Sequence, residues 1–340
     1  MTVLEKSFIS WYIVNKIIIN LINMEFLPSI NNDEPVVQKK TYRSNPRFNA
    51  IKNRKPLKLN SMPVKEKKLI EDQEDSFEVN SEYKVLNVLG SGTYSTVHLA
   101  ERLCDGMKVA IKISKGTTSS NLLKKEYDLL IEIDDPVIPK AIDFKKNLSL
   151  KTSYFIMEYF DGVQLDDFIS QNGTMNIEQA LKAMKSLSEC VDRLHNQGIA
   201  HRDIKPANVL INKEFSVKLI DFNISKKGKE SSEPSKFSKR FFSQVSSPLF
   251  AAPELFGLNC YSESVDIWGL GIVLVSMLFG MKLFESCSRV SSQESYDICI
   301  QEIENNSDLS DESKELIKSA LAYEAENRPT ASELSKYLQY

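Results

Sequence analysis

The chain has 340 residues and is 42% hydrophobic, enough for one large domain or two modest lobes with real cores. Its formal charge of −3 gives no global attraction to nucleic acid or an anionic membrane, so nucleic acid is not an expected partner. The five cysteines (Cys104, Cys190, Cys260, Cys287, Cys299) are scattered without a C-x-x-C pair, and His98, His195 and His201 are just as dispersed. This speaks against a disulfide framework and a zinc cluster, and it fits a reducing, cytoplasmic compartment.

In chain order, residues 1–27 form an apolar segment. Its core, FISWYIVNKIIINLI (Phe8–Ile22), is interrupted by Asn15, Lys16 and Asn20, whereas a bilayer span needs about 20 residues with few or no charges. It also lacks the basic start and small-residue cleavage site of a secretory signal. Three readings stay open: a membrane anchor through residues 8–22, a helix packed on the domain, and an upstream extension ahead of a start at Met24. Residues 28–80 are rich in Pro, Asn and Lys, follow neither a strand nor a helix period, and read as a disordered linker. Their charge is segregated, basic from Lys39 to Lys68 and acidic from Glu71 to Glu78.

From Tyr83 the texture changes. YKVLNVLG, TVHLAERL and KVAIKIS read as short strands, with Asp105-Gly106 turning the second into the third. NLLKKEYDLLIEI places Leu122, Leu123, Tyr127, Leu130 and Ile131 on a helical stripe, and TSYFIMEYF reads as a further strand. After Gly162 the pattern turns helical. Ile177, Leu181, Met184, Leu187, Val191 and Leu194 fall on one face of an amphipathic helix. IWGLGIVLVSMLF (Ile267–Phe279) is apolar all round but too short to span a membrane, which suits a buried core helix. SKELIKSALAY and TASELSKYL close the chain as amphipathic segments. A β-rich half followed by a helical half, with the polar signals between them, implies a cleft between two lobes.

The chemistry-bearing residues cluster around that boundary. In LGSGTYSTVHLA, Gly90, Gly92 and Ser95 fit G-x-G-x-x-S between two strands. Glycines there let a backbone approach phosphates and permit positive φ, and no helix follows as a dinucleotide fold would require. Lys112 lies on an apolar strand, where a buried ammonium needs a partner; Glu126 on the next helix is the obvious one. HRDIKPANVLI, followed by VKLIDFN, supplies four further groups. Asp203 can accept a proton from a hydroxyl nucleophile, Lys205 can neutralise a transferring phosphoryl group, and Asn208 with Asp221 can offer hard oxygen ligands to Mg2+. Phosphoryl transfer depends mainly on positioning and charge stabilisation, and these are its parts.

In GSGTYSTV, VAIK, Glu126, HRDIKPAN, DFN, AAPE (Ala251–Glu254), DIWGLG (Asp266–Gly271) and NRPT (Asn327–Thr330), taken in that order, the chain resembles a eukaryotic-type protein kinase over residues 83–340. The resemblance implies an α+β, two-lobed fold within residues 81–340. A β-rich N-lobe would span about 81–157, a hinge 158–162, and a helical C-lobe 163–340. ATP would be the cofactor with Mg2+, Mn2+ being a substitute, and the partners would be protein substrates carrying Ser or Thr. The hairpin residues Gly90, Ser91, Gly92, Thr93, Tyr94, Ser95 and Val97 would cover the phosphates. Ala110, Met157, Glu158, Phe160, Gln164 and Leu210 would line the nucleotide site, Met157 as gatekeeper and MEYF as the hinge. Lys112, locked by Glu126, would hold the α- and β-phosphates; Asp203 would be the catalytic base, with Lys205 beside it; Asn208 and Asp221 would hold the metal. Glu254 and Arg328 would form a buried ion pair, and Asp266 would brace the catalytic loop.

Lys205 and SSPLFAAPE, with Ser247 where the family usually has threonine, resemble the serine/threonine branch. Gln164 and Ala207 stand where arginine-directed members carry glutamate, which argues against such a preference. Residues 225–247 would be the activation loop, with serines 231, 232, 235, 238, 243 and 246 as regulatory candidates and Arg202 as the receiver of a phosphate. Two positions depart from the pattern. Ser95 replaces the third glycine of the hairpin, and Asn223 replaces the glycine of DFG. Asparagine is the residue after glycine that most readily takes the left-handed backbone region, so Asn223 is expected to act by restricting the flip of Asp221–Phe222. The alternatives to an active serine/threonine kinase are a pseudokinase acting as an ATP-binding or scaffolding module, and a kinase fold acting on small molecules.

Overall fold

The computed structural model describes residues 81–147, 151–230, 239–241, 249–256, 261–284 and 293–338. The apolar segment, the linker and the candidate regulatory serines between 231 and 246 lie outside the described residues.

Five strands form one antiparallel sheet: β1 (Tyr83–Ser91), β2 (Ser95–Arg102), β3 (Lys108–Ser114), β4 (Ala141–Asn147) and β5 (Thr152–Glu158), ordered β1-β2-β3-β5-β4. The β2–β3 turn uses Gly106 at φ 72°, a conformation that needs no Cβ, and Asp105 Oδ1 accepts the Met107 N–H at 3.1 Å. β3 is central and almost wholly buried. Val109, Ile111 and Ile113 pack one face with Ala100, Tyr154 and Ile156. Alternation sends Lys112 to the other face, in register with Val97 on β2 and Phe155 on β5.

That other face meets α1 (Thr117–Leu130), which buries Leu123, Glu126 and Leu130 at spacings of three and four. The stripe ends sooner than its apolar pattern suggested: Ile131 lies one residue past the helix and is 58% exposed.

The second half holds α2 (Leu165–Asn172), α3 (Ile177–Asn196), α4 (Ser264–Phe279), α5 (Gln293–Asn305), α6 (Asp311–Ala320) and α7 (Ala331–Tyr337). The starts of α3 and α7 are fixed by reciprocal capping boxes, Asn176 with Gln179 and Thr330 with Glu333. α4 is buried from Ser264 to Met277, and no helix among the described residues is long and apolar enough to cross a membrane. The protein thus has the α+β, two-lobed architecture.

Short strands carry the polar residues between these layers. β6 (Val163–Gln164), β8 (Val209–Ile211) and β9 (Val217–Leu219) make a three-stranded sheet, and β7 (Ile199–Ala200) pairs with β10 (Lys226–Lys227). β11 (Lys229–Glu230) pairs with β12 (Lys239–Arg240). Among the contacts that tie the sheet side to the helical side are the following three. Leu219 N–H donates to Val137 O at 2.7 Å. Arg193 grips the buried Asp135 through Nε at 2.5 Å and Nη2 at 3.2 Å. Lys218 reaches Glu158 at 3.0 Å.

Candidate active site

The first cluster forms where β3, α1 and the end of β9 meet. Lys112 Nζ donates to Glu126 Oε1 at 2.6 Å and Oε2 at 2.7 Å, and to Asp221 Oδ1 at 2.9 Å. The side chains of Lys112 and Glu126 are 7% and 2% exposed, but that of Asp221 is 36% exposed. Burial pulls the lysine pKa down, and the two carboxylates more than reverse it, so the ammonium is the stable form. With two carboxylates and one cation, Glu126 is the member pushed up, by burial and by Asp221 against the pull of Lys112. Asp221 is also opposed by burial, yet Lys112 brings it below the usual range and it stays ionised. The set carries an excess negative charge on its solvent side.

The second cluster is built on α4. Asp266, wholly buried in its first turn, accepts the backbone N–H of His201 at 2.8 Å and of Arg202 at 2.7 Å, and contacts His195 Nε2 at 2.9 Å. These bonds hold Arg202 at φ 71°, a costly conformation for a residue with a Cβ. The loop can reach the helix because position 269 is glycine: a Cβ there would lie 2.7 Å from both Ile204 O and Ile204 Cβ. His201 accepts the Asp203 N–H on Nδ1 at 3.3 Å, which leaves Nε2–H to donate to Ile220 O at 3.1 Å. This fixes the neutral tautomer, and burial lowers the histidine pKa in the same direction.

The carboxylate of Asp203 is then set from two sides. Lys205 Nζ donates to its Oδ2 at 2.7 Å, and Asn208 Nδ2 donates to the same oxygen at 3.0 Å and to Asp203 O at 2.8 Å. Asn208 O accepts the Ile220 N–H at 2.9 Å, one residue before Asp221, so the two clusters share a backbone bond. Asp221 itself adopts φ 68°.

The remaining candidates surround these clusters. Gly90 and Ser91 end β1, Gly92, Thr93 and Tyr94 form the turn, and Ser95 and Val97 begin β2, with Val97 opposite Lys112. Neither Gly90 nor Gly92 takes positive φ, contrary to the expected role of glycine. Their contribution is empty space: a Cβ on Gly90 would meet nothing within 4 Å, and one on Gly92 only Ser95 O at 3.9 Å. Tyr94 is half exposed at the turn. Ala110 faces Met157 across β3 and β5, and Gln164 faces Leu210 across β6 and β8. Gln164 Nε2 donates to Ala207 O at 2.7 Å, turning the amide onto the loop that carries Asp203. The Glu158 side chain turns to Lys218, and Phe160 packs at the Gly162 bend.

Sequence reasoning missed three contacts. Lys115 Nζ tethers the hairpin through Ser91 Oγ at 2.9 Å and Gly92 O at 2.7 Å. Lys218 pairs with Glu158. Asn223 has no positive φ, and its carboxamide instead contacts Asp221 and Lys112. No local signal marks the first two, whose partners lie 24 and 60 residues away.

Arg202, expected to receive a phosphate, donates from Nη1 to Tyr261 Oη at 2.7 Å and from Nη2 to Ile224 O, and lies 5.7 Å from the centre of the Phe241 ring. Phe241 and Tyr261 exchange backbone hydrogen bonds at 2.8 and 3.0 Å and stack at 5.8 Å.

These residues fit a magnesium nucleotide. The backbone at Gly90 is open, with no heavy atom within 4 Å of where a Cβ would stand. Lys112 is a held cation, and Asp221 with the carboxamide oxygen of Asn208 gives an all-oxygen donor set of the kind a hard divalent cation takes.

The family model described as the protein kinase domain matches residues 83–338. Among curated proteins, the chain is 30% identical over 261 residues to the probable serine/threonine-protein kinase MARK-C of Dictyostelium discoideum, covering 75% of this chain and 33% of that protein. It is 31% identical over 271 residues to the serine/threonine-protein kinase cds1 of Schizosaccharomyces pombe, covering 75% and 57%. It is 33% identical over 215 residues to sperm motility kinase 3A of Mus musculus, covering 62% and 40%. The matched part therefore spans at most 57% of these relatives' own length.

Proposed function

Because the chain belongs to the protein kinase domain family, we propose that it is a serine/threonine protein kinase moving the γ-phosphoryl group of MgATP onto serine and threonine hydroxyls of proteins. The observation that carries this reading is the junction of the two charge clusters: Lys112 between Glu126 and Asp221, joined through Ile220 and Asn208 to the Asp203–Lys205 pair. Bound ATP with its magnesium supplies the transferable group and a cation that draws charge off it.

The residues of the chain do the rest. Lys112, fixed by Glu126, neutralises phosphate charge at a set position; Gly90 to Val97, with Ser91 and Gly92 tethered by Lys115, cover that position. Ala110, Met157, Glu158, Phe160, Gln164 and Leu210 line the base and sugar end. Asp221 and Asn208 offer their oxygens to the metal. Asp203 takes the proton of the attacking hydroxyl, its carboxylate aimed by Lys205 and Asn208. The choice of serine and threonine is supported by Lys205 and by the names of the relatives MARK-C and cds1. Regulation is placed in residues 225–247, on their serine-rich, basic composition. The cytoplasm is the assigned compartment, supported by scattered cysteines of which Cys104, Cys190 and Cys299 are free thiols. No arrangement among the described site residues favours a catalytically silent scaffold.

The test is transfer of label from γ-labelled ATP, with Mg2+, to generic protein substrates, followed by phosphoamino acid analysis. Wild type is expected to label serine and threonine, and Asp203→Asn to bind nucleotide without labelling. Equal silence of both, with nucleotide bound, overturns the enzyme reading in favour of a scaffold.

A further inference from the structure

The side chain of Asn223 lies inside the charge cluster. Its Nδ2 donates to Asp221 Oδ1, and its Oδ1 lies 3.4 Å from Lys112 Nζ. Lys112 donates to the same Asp221 oxygen at 2.9 Å. Asp221, Lys112 and Asn223 therefore close a hydrogen-bonded ring, anchored at the back by Glu126. A glycine at position 223 would leave Asp221 Oδ1 with the lysine alone among these partners.

This ring has a consequence for metal and nucleotide. One oxygen of Asp221 already carries two donors, which draw off part of its charge and fix its rotamer. A divalent cation meets a carboxylate whose charge those two donors on Oδ1 already share, so its advantage at Asp221 is reduced. A polyphosphate approaching without metal meets a carboxylate already partly neutralised, so its repulsion is reduced as well.

We propose that Asn223 is a positioning residue that takes over part of the metal's role at Asp221, making nucleotide binding less dependent on the divalent cation than glycine would allow. The inference rests on the kinase reading and deepens it at the same site.

The experiment titrates a fluorescent ATP analogue into the full chain, once with saturating Mg2+ and once with chelator, and takes the ratio of the Kd in chelator to the Kd with Mg2+. Relative to wild type, that ratio rises roughly tenfold in Asn223→Gly, the size of one hydrogen bond to a charged group. Asn223→Ala separates the carboxamide from glycine's backbone freedom and is expected to match it. With nucleotide saturating, Mn2+ titrated by electron paramagnetic resonance is expected to bind more tightly to both variants. An unchanged ratio in both, or a rise in the glycine variant alone, overturns the inference and leaves the kinase reading standing. A wild type that binds no nucleotide with Mg2+ overturns the kinase reading, and this inference with it.

Discussion

Two buried ion pairs in this protein look alike and differ in kind. Arg328 binds Glu254 through both guanidinium nitrogens, at 2.6 and 2.8 Å, with the two side chains 0% and 8% exposed. Its other donors reach Ala322 O, Ser264 O and Tyr323 O, and its plane lies 5.0 Å from the centre of the Trp268 ring. That pair is closed: one cation, one anion, and carbonyl partners for the remaining N–H groups. Lys112 instead divides one ammonium between Glu126 and Asp221, and Asp221 opens to solvent. A balanced, sealed pair holds a lobe together, whereas an unbalanced, open one waits for a ligand of matching charge.

The largest effect should come from breaking the closed pair. Arg328→Met strands Glu254 in the interior and is expected to cost about 3–5 kcal/mol of stability in denaturant melts. Lys112→Met should act on the other axis. It lowers kcat/KM by about 100-fold or more, as removal of a preorganised electrostatic group does, with a smaller stability change because burial already raises the Glu126 pKa, so that a proton can replace the missing ammonium. Gly269→Ala comes next. The added methyl meets Ile204 backbone and side chain at 2.7 Å, and overpacking of this sort costs about 1–3 kcal/mol while displacing the loop that carries Asp203.

The smallest effect is a pH dependence at His201. The histidine is buried among Asp266, Asp203 and Asp221, which favour its charge, but burial prevails and its folded pKa lies below the ordinary 6.5. Between those two values the unfolded chain binds the extra proton and the folded chain does not. This stabilisation is therefore complete above pH 6.5 and is lost as pH falls from there towards the folded pKa. Melting curves between pH 7.5 and 5 should show a smaller loss in His201→Phe than in wild type, with the lowered pKa of His98 contributing to what remains, a comparison that also reports how firmly the Asp203 loop is held.

The contrast between closed and open pairs was only partly legible in the sequence. Lys112 and Glu126 could be paired because each sits on an element with a readable period, a strand of two and a helix of 3.6. The loop that carries Asp203 was legible because its groups are packed into HRDIKPAN. The strand at Ala141–Asn147 was hidden by Asp143, Lys145 and Lys146, which interrupt its apolar pattern, and the helix at Gln293–Asn305 by its charged residues. The contacts that join the halves, Asp135 with Arg193 and Glu158 with Lys218, link residues 58 and 60 positions apart and have no local spelling. Asn223 was read through its backbone, when what it contributes is a carboxamide; propensity indicates which φ a residue tolerates and says nothing of where its side chain will find a partner.

The central claim, that the Lys112 cluster is an open ligand site and not a structural pair, is tested most directly by thermal unfolding with and without saturating MgATP. The expected result is that Lys112→Met keeps its unliganded Tm within about 3 °C of wild type, while losing most of the rise in Tm that nucleotide binding gives the wild type. A Lys112→Met protein whose unliganded Tm falls as far as that of Arg328→Met, or which keeps the full nucleotide shift, would contradict it.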